Sequence, residues 1–217
     1  MSTKSLQIKV SPEIGKVSAK YNSPAHPVCV MTLAHGAGAG MDHPFMEALA
    51  ESLSKSGIAT LRFNFPFTEQ QKKRPDSPAV AQAAIAAAIE KAGTLAPGIP
   101  LFASGKSFGG RMTSQYISSH PDSPVKGIVF FGFPLHPAGK PSIDRAEHLH
   151  HIHIPMLFLQ GSKDTLATWD MIASVCKSLP TATLEKFEGA DHSFKAGKTD
   201  VISLLTAATK AWIDQQV

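Results

Sequence analysis

Apolar residues recur along this chain in two rhythms. Leu6, Ile8 and Val10 alternate with polar neighbours, and Val17, Ala19 and Tyr21 do the same beyond Pro12-Glu13-Ile14-Gly15. That alternation predicts a half-buried antiparallel hairpin. Residues 28–34 are then almost continuously apolar, the mark of a strand buried on both faces. Residues 58–63, 99–103, 125–131, 154–160 and 183–187 read as further strands. Between them, helical spacing and capping signals predict helices over about 43–56, 79–92, 107–120, 143–150, 168–178 and 198–215. The first of these presents Phe45, Met46, Leu49, Ala50 and Leu53 on one face and closes at Gly57; the second is expected to end at Gly93. Strands alternating with helices imply right-handed crossovers. The expected fold class is α/β: a mostly parallel sheet with helices on both faces, an antiparallel hairpin at one edge, and a single domain over residues 1–217.

Composition changes this picture little. With 217 residues, 43% hydrophobic and 18% charged, the chain is that of an ordinary globular protein with a sizeable core. Its start shows no secretory n-region and h-region, and no apolar run is long enough to span a bilayer, so a cytoplasmic protein without a membrane partner is expected. Cys29 and Cys176 fall in a predicted strand and helix and are expected to be reduced core residues. The net charge of +4 is mild. Its one cluster, Lys72-Lys73-Arg74, lies in a proline-rich loop without interleaved aromatics, which reads as a solvated loop and argues against a nucleic-acid partner.

In parallel sheets the chemistry gathers where strands end. One exit carries Gly105-Lys106-Ser107-Phe108-Gly109, the spacing of a nucleophile elbow. In such a turn the serine is strained and exposed, and side chains in place of the flanking glycines would clash with the neighbouring strand and helix. Gly105-Lys106-Ser107 also ends like a phosphate-binding loop, but the leading glycine of that motif would fall at Pro100, and 101–103 read as strand. Later exits carry Asp164 and His192. The order Ser107, Asp164, His192 is that of an α/β-hydrolase triad, with His192 as general base and Asp164 as its orienting acid. Asp191 is a competing acid beside His192. An oxyanion needs two donors: the N–H of Phe108, and the N–H of Ala37 in the glycine-rich run after residue 34, where Gly36 and Gly38 allow close approach.

Two cofactor readings are weaker. Gly36-x-Gly38-x-Gly40 resembles part of a dinucleotide fingerprint, but the third glycine would fall at Met41, and the next strand ends in Arg62, which suits at most a 2′-phosphate. His148, His150, His151 and His153 are dense enough to raise a zinc site, yet lack a clear further ligand. No cofactor and no metal are therefore expected.

The runs His35-Gly36-Ala37-Gly38, Arg62-Phe63-Asn64-Phe65-Pro66, Gly105 through Arg111, Pro134-Leu135-His136-Pro137-x-Gly139-Lys140-Pro141, His148-Leu149, Gln160-Gly161-x-x-Asp164 and Asp191-His192-Ser193-Phe194 together resemble the small α/β-hydrolases of the testis-expressed protein 30 type. These are akin to dienelactone hydrolases and to the hydrolase-like domain of a chromatin acetyltransferase-complex subunit. The resemblance spans residues 28 to 215 and implies the fold and the triad, but no substrate. Ordinary dienelactone hydrolases use cysteine where this chain has Ser107.

Too few residues separate the strand ending at Phe131 from the next at Ile154 to form a cap domain, so an open site is expected, with His136, Arg145 and His148 framing its entrance for an anionic or polar group. The expected function is that of a cofactor-free serine hydrolase, esterase- or thioesterase-like, acting on a small-molecule acyl substrate. A catalytically silent binding protein and a peptidase or acyltransferase of the same fold are the rival readings; oligomeric state is left open.

Overall fold

The continuously apolar segments become inner strands because a parallel strand covered by helices on both faces has no solvated side. The computed structural model describes residues 2–217. β3 (Cys29–Ala34), β4 (Ile58–Phe63), β6 (Ile128–Phe131) and β7 (Met156–Gly161) are buried throughout, and β5 (Leu101–Lys106) throughout except at Lys106. β1 (Ser2–Ser11) and β2 (Gly15–Ser23) form the leading hairpin, and β8 (Ala182–Phe187) closes the far edge. The eight strands make one sheet in the order β1-β2-β4-β3-β5-β6-β7-β8. β2 pairs antiparallel with β4, and every pair from β4 to β8 is parallel.

Helices α1 (Pro44–Lys55) and α6 (Val201–Ile213) cover one face, packing on Met31, Leu33, Phe102, Val129 and Leu157. Helices α3 (Pro78–Leu95), α4 (Phe108–Ser119) and α5 (Trp169–Ser178) cover the other, over Val30, Ala103, Phe130 and Phe158. Residues alternating along each strand thus feed two cores. Among the described residues, no helix is long and apolar enough to cross a membrane. Cys29 and Cys176 are free and buried, and burial pushes both thiols up to about 12.

The structure differs from the sequence pattern in four places. Gly93 does not end α3: the Ala96 N–H still bonds the Ala92 carbonyl at 3.1 Å, and the break comes at Pro97-Gly98, where Gly98 has φ +80°. β6 begins at Ile128 rather than 125; a Cβ at Gly127 would stand 2.7 Å from the Trp212 ring, so the chain enters the sheet pressed against α6. The segment after Asn64, expected as loop, opens with the single turn α2 (Pro66–Glu69). Proline at its first position favours the turn, and the Glu69 carboxylate ties it to β2 by accepting from the Ser18 N–H and hydroxyl at 3.1 and 2.8 Å. The short helix near residue 143 is a 3-10 helix, Asp144–His151. Among the described residues it is the only helix between β6 and β7, and no cap domain lies over the ends of the strands.

Candidate active site

Three glycines bring the relevant turns together. At Gly105 an added Cβ would lie 2.3 Å from the Gly110 nitrogen, and at Gly109 it would lie 2.5 Å from the Ala34 carbonyl oxygen. β5, the start of α4 and the end of β3 therefore touch backbone to backbone. At Gly161 an added Cβ would lie 2.3 Å from the Ala190 oxygen, so the end of β7 presses on the turn leading to His192.

Ser107, between β5 and α4, has φ 52° and ψ −115°, a conformation that costs a non-glycine residue about 1–3 kcal/mol. Its hydroxyl lies 2.8 Å from His192 Nε2, and His192 Nδ1 lies 2.7 Å from Asp164 Oδ2. Asp164 is 2% exposed. Its Oδ1 accepts the Leu166 N–H at 2.8 Å, and its Oδ2 also accepts from Gln160 Nε2 at 2.7 Å. Asp191 takes a different part. Its Oδ1 accepts the N–H groups of Ser193 and Lys195 at 2.8 and 2.9 Å, which shapes the loop that carries His192.

Phe108, whose N–H is expected to face an oxyanion, sits on an aromatic base. The Phe108 ring packs edge-on against Phe65 and Phe67, with centroids 5.3 and 6.1 Å away. His35 packs against the same two rings and spans the gap to the next loop: its Nδ1 lies 2.8 Å from the Gly36 carbonyl oxygen, while its Nε2 accepts the Phe65 N–H at 3.0 Å. Burial pulls the His35 pKa down to about 4, which keeps the ring neutral. A Cβ at Gly36 would lie 3.7 Å from Ser107 Cβ, so this loop faces the serine. At Gly38 an added Cβ would meet nothing within 4 Å; the room expected to require glycine there is open on the protein side. Among the described residues, neither the Ala37 nor the Phe108 N–H donates to another backbone or side-chain group.

Ser107 and His192 open into a cleft of about 350 Å³ bounded by Ala37, Phe45, Met46, Lys106 and Leu166. Lys106 Nζ donates to the His192 carbonyl oxygen at 2.6 Å and sits 5.4 Å from the centre of the Phe194 ring. Burial draws its pKa down to about 8, against the opposing pull of Asp164 and Asp191.

The residues expected at the entrance lie elsewhere. His136 is 2% exposed, with Nδ1 2.9 Å from the Pro137 oxygen, and does not line the cleft. His148 is pinned to α4, its Nε2 2.7 Å from the Ser114 hydroxyl. Arg145 stands on the same 3-10 helix, also outside the cleft. Burying a histidine beneath the Pro134-to-Pro141 turn is a tertiary effect that local spacing does not reveal. Arg62, weighed for a 2′-phosphate, is 1% exposed and spends its Nη1 on the Met41 carbonyl at 2.9 Å. Lys72, Lys73 and Arg74 are exposed, and so are His150, His151 and His153. No local sequence signal marks a role for Gln160, Lys106 or His35; their contacts join residues far apart in the chain or in different loops.

The family model of the alpha/beta hydrolase domain matches residues 27–214. Among solved structures, the chain is similar to Est1E from Butyrivibrio proteoclasticus, at 17% identity, TM-score 0.76 and 98% coverage of both chains. It is similar to XC6422 from Xanthomonas campestris, described as an α/β serine hydrolase without lid, at 19% identity and TM-score 0.78, covering 98% of this chain and 95% of that one. A dienelactone hydrolase from Anabaena variabilis matches at 17% identity and TM-score 0.79, covering 100% of this chain and 98% of the other. The match to the family model takes in every strand but the two of the leading hairpin, and this chain belongs to the alpha/beta hydrolase domain family.

Proposed function

We propose that this protein is a serine hydrolase that cleaves a small carboxylic ester or thioester through an acyl-enzyme. The observation that carries the reading is the unbroken row Ser107 Oγ, His192 Nε2, His192 Nδ1, Asp164 Oδ2, with contacts of 2.8 and 2.7 Å, ending on a serine held at positive φ. In this reading His192 takes the proton of Ser107 as the hydroxyl oxygen attacks the acyl carbon. Asp164 fixes the tautomer with Nδ1–H and stabilises the imidazolium. The N–H groups of Ala37 and Phe108 receive the oxyanion; one such donor is worth about 2.7–4 kcal/mol in the transition state. The leaving group departs with the proton from His192, and the same ring then activates the water that frees the acid.

The cleft of about 350 Å³ suits a small acyl group, and the lack of a cap leaves it open to solvent. The similar structures described as an esterase domain, a serine hydrolase and a dienelactone hydrolase support acyl-ester chemistry. Within the family, the Gly105-to-Arg111 and Pro134-to-Pro141 segments favour the testis-expressed protein 30 type.

Incubation with a fluorophosphonate followed by peptide mass spectrometry tests the reading. Modification of Ser107, lost in Ser107→Ala, is expected. A folded protein that stays unmodified would overturn it in favour of a silent binding protein. A panel of p-nitrophenyl acyl esters then reads the depth of the acyl pocket.

A further inference from the structure

Phe45 stands between two cavities. One is the cleft at Ser107, of about 350 Å³. The other, also of about 350 Å³, lies against the start of α6 and is bounded by Lys195, Ala196, Thr199 and Val201. Phe45 bounds both. The Phe194 ring is stacked on Phe45, with centroids 5.8 Å apart and planes 12° from parallel. Phe194 bounds only the second cavity, and Ser193 bounds only the first. The division between them therefore runs along the Phe45 ring and the Ser193-Phe194 peptide.

The two rings are held differently. Phe194 is 5% exposed and sits at φ 61°. Its N–H donates to the Asp191 carbonyl at 2.9 Å, its ring lies edge-on to Phe187 with centroids 5.8 Å apart, and the Lys106 ammonium stands 5.4 Å from its centre. Phe45 is only half-buried, in the first turn of α1, where its N–H donates to His43 Nδ1 at 3.2 Å. Shortening Phe45 leaves those contacts of Phe194 in place, so it opens the division without removing what supports it.

The two ends of the cleft are unlike. On the Phe45 side, Met46 and Leu166 also line it, so a chain lying there meets apolar surface and then the ring. Lys106 lines the cleft too, but its ammonium is spent on the His192 carbonyl oxygen at 2.6 Å. At the other end no large side chain intervenes. Ala37, Gly38, Ala39 and His43 bound both the cleft and a further cavity of about 540 Å³ that reaches Phe67 and Thr68 of α2. A Cβ added at Gly38 would meet nothing within 4 Å. A group extending from Ser107 along the glycine-rich loop therefore has room, while one extending towards Phe45 is stopped.

We propose that Phe45 sets the length of the apolar chain accepted on one side of the scissile bond, an inference that rests on the serine-hydrolase reading above. The substrate class is then an ester or thioester with a short, unbranched alkyl group on that side and no such limit on the other.

Two ester series test this. In p-nitrophenyl esters from acetate to octanoate the acyl chain grows. In acetates of straight-chain alcohols from methanol to octanol, followed by proton release, the leaving group grows. One series is expected to gain about fourfold in kcat/KM for each methylene buried, then to fall about tenfold or more at the first chain that meets Phe45. Phe45→Ala should move that fall to longer chains, Phe45→Leu should move it less far, and Phe45→Trp should bring it to shorter ones. Each profile is a set of ratios within one variant, so a change in the folded fraction leaves it unaltered. The series in which the fall moves identifies the chain as acyl or alcohol. No fall in either series of the parent protein, a fall at the same length in every variant, or one that moves alike in both series overturns the role of Phe45 while leaving Ser107 a competent nucleophile. If the parent protein hydrolyses no ester faster than Ser107→Ala, the serine-hydrolase reading itself falls, and the role of Phe45 with it.

Discussion

Lys106 Nζ donates to the main-chain oxygen of His192 at 2.6 Å, joining the residue before the proposed nucleophile to the residue proposed as its base. The stem of Lys106 runs beneath the His192 loop, and its ammonium rests near the Phe194 ring, 5.4 Å from the centroid. The bond fixes the height of the histidine above Ser107, and the charge lies near enough to Asp164 to be felt by it. Lys106→Met keeps the stem and removes both effects. Its kcat/KM on a p-nitrophenyl ester should fall about 10- to 100-fold, the scale of an ångström-sized misplacement in an active site. An unchanged kcat/KM would leave Lys106 with packing alone.

Asp164 and Gln160 predict two different kinds of loss. Asp164→Asn preserves shape but presents an amide to Nδ1, which favours the wrong imidazole tautomer; kcat should fall about 10⁴-fold with little change in the melting temperature. Gln160 bridges Asp164 Oδ2 at 2.7 Å and the Phe133 N–H at 2.9 Å, both buried. Gln160→Leu strands the Phe133 donor and loosens the carboxylate. It should cost about 1–3 kcal/mol in urea denaturation, with a smaller loss of kcat than Asp164→Asn. If Gln160→Leu were as inactive as Asp164→Asn yet fully stable, this division of roles would fail.

The chain reveals its inner parallel strands because they are continuously apolar, and its candidate site because Ser107 and Asp164 follow such strands and His192 follows the half-exposed edge strand β8, in a known order. What it conceals is every feature that depends on one loop reaching another. Lys106 meets His192 across 86 residues, and nothing near either position announces it. Gly93 reads as a stop signal by residue type alone, yet α3 runs through it on a partly exposed side, where an added Cβ would meet nothing within 4 Å. His136, expected at the entrance from its place in a polar turn, is instead roofed over.

Glycine at 105 and at 161 has a steric cause that can be measured. An added Cβ would stand 2.3 Å from backbone at each place, from Gly110 nitrogen at the first and Ala190 oxygen at the second. Backbone cannot swing aside as a side chain can. Gly105→Ala and Gly161→Ala should each destabilise by about 3 kcal/mol or more, at or beyond the upper range for overpacked cores. Gly38→Ala, where an added Cβ meets open space, should melt like the parent protein. Thermal denaturation of the three variants checks the ordering, and a parent-like Gly105→Ala would contradict the close approach.

The last prediction concerns acid. His35 can hold its loop only as a neutral ring: Nδ1–H donates to the Gly36 oxygen at 2.8 Å while Nε2 accepts the Phe65 N–H at 3.0 Å, and a proton on Nε2 abolishes the second bond. Burial lowers its pKa from 6.5 to about 4, and His148 is lowered to about 4 as well. A histidine depressed in the fold binds its proton more readily when unfolded. The stability it contributes is therefore complete above about pH 6.5 and drains away as the pH falls toward about 4, amounting to about 3 kcal/mol for His35. The unfolding free energy in urea should decline steadily from about pH 7 to about pH 4.5. His35→Gln, lacking the titrating ring, should be less stable at neutral pH and show a shallower decline. Because Gly36 adjoins Ala37, the same variant should also lose the proposed hydrolysis of p-nitrophenyl esters at neutral pH, through displacement of the N–H proposed as an oxyanion donor. A pH slope identical to that of the parent protein would mean that His35 titrates alike in the folded and unfolded chain, contrary to its bonding.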